Sequence, residues 1–144
     1  MIRVVRNAGQ IAGIAQLGTE LIVCTYDSER VAVYDLNTYS ETRHVTVPGM
    51  KQALGLAACK QNNCLYISDY GPKCIHRVDL SNSSCSKWSL NAAPRGVSLT
   101  RAFNLLVTLR QSIEEYTTSG SLIRSIKLDV GIDNPWHSVE LSSG

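Results

Sequence analysis

The stretch Leu65-Tyr-Ile-Ser-Asp-Tyr-Gly-Pro-Lys-Cys-Ile-His-Arg-Val-Asp-Leu80 decides the fold, because it places two short apolar runs on either side of a Gly-Pro turn. Runs of about four to eight residues that are rich in Ile, Val and Tyr and bounded by Gly, Pro or Asp are typical of β-strands. No window of the sequence sustains the i, i+3, i+4, i+7 apolar spacing of a helix. The stretch therefore predicts a β-hairpin.

The same pattern occurs twice more along the chain. The matching segments begin at Leu21 and Leu105, and each of the three segments follows a short apolar run that opens at Gly13, Gly55 or Gly96. These glycines are 42 and 41 residues apart. A period of about 40 residues indicates a repeat architecture and suits the four strands, a to d, of one propeller blade. The sequence predicts an all-β fold with three four-stranded blades of a β-propeller.

The two ends of the chain resemble single blade strands. Residues 2–7 are similar to the d strand of a repeat, and residues 136–141 are similar to an a strand. We therefore predict one propeller segment over residues 1–144, with a leading d strand and a trailing a strand. Propellers usually have about four to eight blades, so we expect the chain to be part of a six-bladed ring. The alternatives are a homodimer that completes a ring and an open, aggregation-prone arc. The predicted blades span about 11–50, 52–92 and 94–130.

The central repeat resembles the NHL repeat. Residues 65–80 place an apolar pair and Asp69 in strand b, then a polar turn, then an apolar strand c that closes with Asp79. The other two repeats share the spacing but depart from the pattern, with Thr25 and Leu109 at the position of Asp69. The resemblance thus covers nearly the whole chain, and its motif is most specific in the central repeat.

The resemblance implies a function for the scaffold. NHL propellers often form the C-terminal module of tripartite-motif ubiquitin ligases, where they bind RNA or protein while a separate RING domain recruits the ubiquitin-conjugating enzyme. The implied function is a non-catalytic recognition module that binds a protein or single-stranded RNA through loops on one propeller face. Such a module could be the substrate-recognition part of a ubiquitin-ligase-like protein. The ligase activity would need a RING domain, whose closely paired Cys and His ligands this sequence does not contain.

Composition and charge limit the classes of protein to which the chain can belong. Hydrophobic residues make up 44% and charged residues 18% of the chain, an ordinary globular balance, so we expect it to be folded throughout. The net charge of +2 falls well short of the dense basic stripe that by itself indicates nucleic-acid binding. No apolar run approaches the roughly 18 residues of a membrane span, and the first residues do not form a signal peptide. These features predict a soluble, cytoplasmic protein.

The cysteines are interpreted as reduced and structural. Their odd number, five, argues against a disulfide framework, and a chain of this length can fold without covalent staples. Their spacing does not supply the paired ligands of a zinc finger, and Cys74, two residues before His76, is interpreted as a small filler like the others. The sequence therefore predicts no metal site and no cofactor. The five residues are Cys24, Cys59, Cys64, Cys74 and Cys85.

The sequence also predicts no catalytic residues. A Gly-x-Ser-x-Gly nucleophile elbow is absent, and His44, His76 and His137 fall in different repeats. The neighbouring Glu114 and Glu115 cannot share a substrate, because adjacent side chains on a strand point to opposite faces.

A second hypothesis places a metal at the propeller axis, where equivalent positions of the blades converge. The residue before each strand-a glycine is Ala12, Leu54 or Arg95, and the matching residue of the trailing strand is His137. A metal-dependent, lactonase-like hydrolase would hold Ca²⁺ there with six to eight oxygen ligands. Ala12 and Leu54 carry no side-chain oxygen, and only Asp133 and Asn134 lie near the mouth of a strand, so this hypothesis ranks below the recognition module.

Residues near repeat junctions and turns are the candidate partner-binding residues. Lys and Arg there can contact phosphate, and Tyr70 offers a stacking face to an unpaired base. Tyr26 occupies the same place in the first repeat as Tyr70 in the second, which predicts a packing role between blades. The candidate partner-binding residues are Lys51, Tyr70, Lys73, Arg95, Arg101 and His137.

Overall fold

The computed structural model describes residues 10–129, 131 and 135. In this part of the chain the regular elements are β-strands, which form three antiparallel sheets in which neighbours in sequence are neighbours in the sheet. The strands are β1 (Ile11–Leu17), β2 (Glu20–Thr25), β3 (Arg30–Asp35) and β4 (Glu41–Thr46) in blade 1, β5 (Ala53–Cys59), β6 (Cys64–Asp69), β7 (Cys74–Asp79) and β8 (Ser84–Ser89) in blade 2, and β9 (Val97–Leu99), β10 (Leu105–Thr108), β11 (Ser112–Tyr116) and β12 (Leu122–Lys127) in blade 3.

The predicted all-β architecture of three four-stranded blades is confirmed. The predicted leading strand at residues 2–7 and trailing strand at 136–141 lie outside the described residues. Among the residues that are described, no helix is long and apolar enough to cross a membrane.

The hairpin that decides the fold forms with the register that its sequence indicates. β6 pairs with β7 so that Ser68 lies opposite Ile75 and Asp69 lies opposite Cys74. The turn between them closes at Lys73, whose φ of 56° lies in the left-handed region that non-glycine residues seldom adopt. The hairpin therefore brings the last side chain of strand b next to the first side chains of strand c.

Strand β6 of blade 2 is packed on both faces, which explains its run of apolar residues from Cys64 to Ile67. Alternate side chains of a strand point to opposite faces of the sheet. Leu65 and Ile67 accordingly pack into the core shared with blade 1, whereas Cys64 and Tyr66 pack into the core shared with blade 3. Every residue of β6 is buried. A strand covered on both faces needs apolar residues at consecutive positions rather than at alternate ones.

Two of the repeated glycines, Gly13 and Gly55, lie where a strands of neighbouring blades are in close contact. A Cβ atom on Gly55 would lie 3.0 Å from the backbone nitrogen of Val97 and 3.2 Å from the carbonyl oxygen of Arg95. A Cβ atom on Gly13 would lie 2.8 Å from the Cβ of Leu56. The repeated glycine is therefore a packing requirement between a strands, and these contacts also show that equivalent ends of the a strands lie side by side.

The loops divide between two faces. In an up-and-down sheet, the b–c loops and d–a loops lie at one end of the strands, and the a–b and c–d turns lie at the other. We call the first end the upper face and the second the lower face. The upper-face loops are residues 26–29, 47–52, 70–73, 90–96 and 109–111, and the lower-face turns are residues 18–19, 36–40, 60–63, 80–83, 100–104 and 117–121.

We predict that Gly55→Ala lowers the free energy of unfolding by about 1–3 kcal/mol, because the added methyl group must push the a strands of blades 2 and 3 apart. Urea denaturation measures the change. Gly131→Ala is the matched control, because no atom lies within 4 Å of the position that its Cβ would take. Equal stability of the two variants would contradict the packing role of Gly55.

Candidate functional site on the upper face

A buried carboxylate organises the upper face. Asp69, at the end of β6, has no exposed surface. Its Oδ1 accepts a hydrogen bond of 2.7 Å from the backbone N–H of Gln52, and its Oδ2 accepts bonds from the backbone N–H of Lys51 (3.0 Å) and from His76 Nε2 (2.8 Å). A buried charge is tolerated when it is fully hydrogen-bonded in this way. Asp69 therefore fastens the d–a loop 47–52 to strands b and c of blade 2.

The same hydrogen bonds keep Asp69 ionised. Burial acts to raise the pKa of Asp69, but the hydrogen bonds from His76, Gln52 and Lys51 outweigh it, so the pKa lies below its usual value. The carboxyl group is consequently negative at neutral pH and accepts from all three donors.

The fastened loop reaches both neighbouring b–c loops. Gln52 Nε2 donates a hydrogen bond of 2.8 Å to the hydroxyl of Tyr26 in blade 1. The carbonyl oxygen of Gln52 accepts a bond of 3.0 Å from the backbone N–H of Tyr70 in blade 2. Asp69 sets the position of Gln52, and the hydrogen bonds of Gln52 in turn hold Tyr26 and Tyr70 at the start of the two b–c loops.

The two tyrosines border a pocket of about 180 Å³ on the upper face. Leu54 and Arg95, the residues that precede the repeated glycines Gly55 and Gly96, complete its lining. Tyr70 is 41% exposed, so part of its ring is available to a ligand. We call this feature, lined by Tyr26, Leu54, Tyr70 and Arg95, the upper-face pocket.

Arg95 is held in place rather than extended into solvent. It is 9% exposed, and its Nη1 donates a hydrogen bond of 3.2 Å to the carbonyl oxygen of Pro135. Its own carbonyl oxygen accepts a hydrogen bond from the Ser68 hydroxyl, across the boundary between blades 2 and 3. The side chain of Arg95 is therefore held by hydrogen bonding where it lines the pocket.

The structure brings four of the predicted partner-binding residues to one face. Lys51, Tyr70, Lys73 and Arg95 all lie in upper-face loops. Arg101 does not join them, because it lies in the a–b turn 100–104 of blade 3, at the opposite end of the strands. His137 lies outside the described residues.

The upper-face loops around blades 2 and 3 carry only positive formal charges. Loops 47–52, 70–73, 90–96 and 109–111 contain basic residues and no Asp or Glu. The b–c loop of blade 1 differs, since it contains Asp27 and Glu29. The carboxylate of Asp69 beneath these loops is buried and hydrogen-bonded. The basic residues of the four loops are Lys51, Lys73, Arg95 and Arg110.

Sequence reasoning missed two features of this region. Tyr26 was expected to pack between blades, and it does contact blade 2 through Gln52, but it also lines the pocket. The sequence predicts that Cys74 is only a small filler, yet Cys74 and His76 both lie against Asp69. The hairpin register was the available signal, because a four-residue turn after Asp69 places Cys74 opposite it.

Comparisons with known proteins support the propeller fold. No protein-family model matches the chain, and no curated protein matches it significantly in sequence. Hydrazine synthase of Kuenenia stuttgartiensis matches in structure with a TM-score of 0.73 and 18% identity, over 88% of this chain and 38% of that one. The RRP9 WD40 repeats match with a TM-score of 0.71 and 13% identity, over 82% and 38%. Virginiamycin B lyase from Staphylococcus aureus matches with a TM-score of 0.69 and 16% identity, over 81% and 41%.

These similarities show a propeller fold and show how much of each matched propeller chain this chain covers. The chain spans about two fifths of the length of the structures that it matches. It is therefore similar to a segment of a β-propeller.

We predict that Asp69→Asn lowers the free energy of unfolding by about 1–3 kcal/mol, because the two backbone N–H groups of the d–a loop bond to different carboxylate oxygens and Asn replaces one of these oxygens with an NH₂ group that cannot accept. Thermal and urea denaturation measure the loss. Asp79→Asn is the control, since Asp79 closes strand c of the same blade but bonds only within the exposed c–d turn, through Ser81. An effect of Asp79→Asn as large as that of Asp69→Asn would contradict the fastening role.

Proposed function

We propose that this chain is a non-catalytic recognition module that binds an anionic partner, preferentially single-stranded RNA, on its upper face. The observation that carries the proposal is the partly exposed ring of Tyr70 beside Lys51 and Lys73, in loops 47–52 and 70–73, which contain no acidic residue. Single-stranded nucleic acids are bound by this combination of a stacking platform and a positive surface that follows the backbone.

Each feature of the face has a role in the proposed complex. An unpaired base stacks on the exposed part of the Tyr70 ring, and every base can do so because every base has a π-face. Lys73, three residues further along the same loop, and Lys51, in the loop that bonds to Tyr70, contact phosphates on either side of that base. Arg95 is already anchored through Pro135, so it loses little side-chain freedom when it forms one wall of the binding pocket.

The NHL assignment and its implied context belong to this proposal. Asp69, the motif residue of the central repeat, fastens the loop that carries Lys51 and Gln52, so the motif supports the binding face directly. Within this proposal, the chain is an NHL-like module and the substrate-recognition part of a ubiquitin-ligase-like protein that acts in the cytoplasm. Another protein segment would then supply the catalytic RING domain.

The described residues give the axial hydrolase hypothesis no support. A calcium site at the axis needs several oxygen donors. The axial positions that the structure describes are Ala12, Leu54 and Arg95, and none of them carries a carboxylate or an amide oxygen in its side chain.

We predict that Tyr70→Ala weakens binding of a fluorescently labelled single-stranded RNA by roughly tenfold, as expected when one stacking contact worth about 1–3 kcal/mol is lost. Fluorescence anisotropy at fixed salt measures the affinity. Lys73→Gln should reduce the slope of log affinity against log salt by about 0.7, because one phosphate contact to a single strand is lost. Arg101→Ala, on the lower face, is the matched control and should leave both quantities unchanged.

An acidic peptide of similar net charge is titrated in parallel with the RNA. RNA binding that depends on Tyr70 and Lys73 supports the proposal. Binding of the peptide alone would replace RNA with an acidic protein segment as the ligand. Absence of both interactions, or equal losses in the Tyr70 and Arg101 variants, would refute recognition by the upper face.

We further predict that the 144-residue chain on its own forms a dimer. Blade 1 exposes two large apolar side chains, Ile11 at 43% and Ile14 at 55%. Two copies of the chain together would also have nearly the length of one matched propeller chain. Light scattering should give twice the 15.8 kDa mass of one chain. Ile14→Lys should shift the protein to monomer, whereas Phe103→Lys, which changes an exposed aromatic residue of a lower-face turn, should not. A monodisperse wild-type monomer would exclude the two-chain ring.

A further inference from the structure

We infer that Asp69, Cys74 and His76 form a zinc-binding site on the side of blade 2 that faces blade 1. The sequence predicted no metal site, because the three residues do not form a familiar ligand motif. In the described part of the chain this is the one group of three His, Cys, Asp or Glu residues whose donor atoms all lie within 4.8 Å of one another.

The antiparallel hairpin creates the cluster. Asp69 and Cys74 are directly opposite each other in the β6–β7 register, and His76 is two residues beyond Cys74, so its side chain is on the same side of the strand. His76 Nε2 lies 2.8 Å from Asp69 Oδ2 and 3.5 Å from Cys74 Sγ. The three donor atoms thus surround one point from two adjacent strands.

The spacing suits zinc with a small adjustment. Bonds of about 2.0 Å to nitrogen and oxygen and about 2.3 Å to sulfur place tetrahedral donor atoms roughly 3.3–3.7 Å apart. The distance from Cys74 Sγ to His76 Nε2 already falls in that range. Asp69 Oδ2 and His76 Nε2 need to separate by about half an ångström to admit the ion between them.

The combination of donors favours zinc over calcium or magnesium. Thiolate and imidazole are ligands that zinc prefers, whereas calcium and magnesium take oxygen ligands. On binding, the Cys74 thiol releases its proton to solvent, and the proton on His76 Nε2 moves to Nδ1 so that Nε2 is free to coordinate. One carboxylate and one thiolate then balance the two positive charges of the ion.

The residues around the cluster orient the Asp69 carboxylate and leave a groove through which an ion can reach His76. The backbone N–H groups of Lys51 and Gln52 bond to Asp69 and orient the carboxylate, as hydrogen bonds to ligating groups do in metal sites. All three ligands are 3% exposed or less. A groove of about 230 Å³ nevertheless reaches His76 between the d–a loop and the outer strands of blade 2, and a water molecule in it can supply the fourth ligand. Its lining residues are Pro48, His76, Cys85, Ser86 and Lys87.

One neighbouring group opposes the ion. Lys87 lines the same groove and pairs with His76 in the β7–β8 register, so its positive charge faces the site. The negative charges of Asp69 and of the Cys74 thiolate offset this repulsion. The competing interpretation is a purely structural cluster, in which His76 donates to Asp69 and the neutral thiol only fills space.

Cobalt(II) titration of the chelator-treated wild-type chain tests the proposal, because cobalt occupies zinc sites and its thiolate complexes absorb through a sulfur-to-cobalt charge-transfer band. The expected result is a saturable band at one equivalent of cobalt that one equivalent of zinc abolishes. Cys74→Ser should remove the band. Cys85→Ser, which changes an exposed cysteine in the same groove, should retain it.

A second variant, His76→Gln, distinguishes a role of His76 in binding the metal from a role in holding the d–a loop through Asp69. His76→Gln keeps a side-chain amide N–H that can donate to Asp69, but it removes the imidazole. It should remain folded by circular dichroism while its cobalt affinity falls at least tenfold. Zinc should also raise the Tm of the wild-type chain but not that of His76→Gln, a readout that does not depend on the folding of the Cys74 variant.

Three outcomes would overturn the site: wild-type protein without a saturable band, a band that persists in Cys74→Ser, or a band that disappears in Cys85→Ser. None of these results depends on RNA binding, so the zinc site and the proposed function can fail separately.

Discussion

The buried negative charge of Asp69 is the constraint on which the upper face depends. An ionised carboxylate without solvent must be hydrogen-bonded by the protein, and the donors within reach are two consecutive backbone N–H groups of the d–a loop and one imidazole. This requirement dictates the path of the loop. Once Lys51 and Gln52 are fixed, the side chain and carbonyl of Gln52 fix Tyr26 and Tyr70, and the pocket between the tyrosines follows.

The second constraint is the packing of blade 2 between two neighbours. Its b strand is apolar at successive positions because each face of the sheet meets another blade, and its a-strand glycine admits the backbone of blade 3. The outer strands β4, β8 and β12 contribute little to these cores and are largely exposed. The buried part of the molecule is thus formed by the inner two or three strands of each blade, and the upper-face loops extend from the ends of those strands.

These constraints explain what the sequence could predict. Strand type follows from local patterns such as the hairpin at residues 65–80. The repeat period and the number of blades follow from the recurrence of that pattern along the chain. The face on which a loop lies also follows from the strand order. Grouping Arg101 with Lys51 and Lys73 ignored that order, because a basic residue in an a–b turn is a full strand length away from one in a d–a loop.

Contacts between distant residues could not be predicted in the same way. The burial of Arg95 depends on contacts with Pro135 and the Ser68 hydroxyl, which form only after the blades have packed. The cluster at Asp69 is intermediate, since the hairpin register places Cys74 beside it, but the distances that matter for a metal are set by the side-chain rotamers. A motif search over consecutive ligands therefore misses a site that is divided between two strands.

The proposed zinc site and the proposed binding face both depend on Asp69 and on its charge. Without an ion, the cluster contributes the single negative charge of Asp69 beneath Lys51, together with a neutral thiol at Cys74. With zinc bound, two ligand charges balance the ion and the cluster becomes neutral. The bonds from Asp69 to the d–a loop can persist, because only Oδ2 needs to turn from His76 toward the metal. Occupancy would then leave the geometry of the upper face in place while making its potential more positive, which favours an anionic partner.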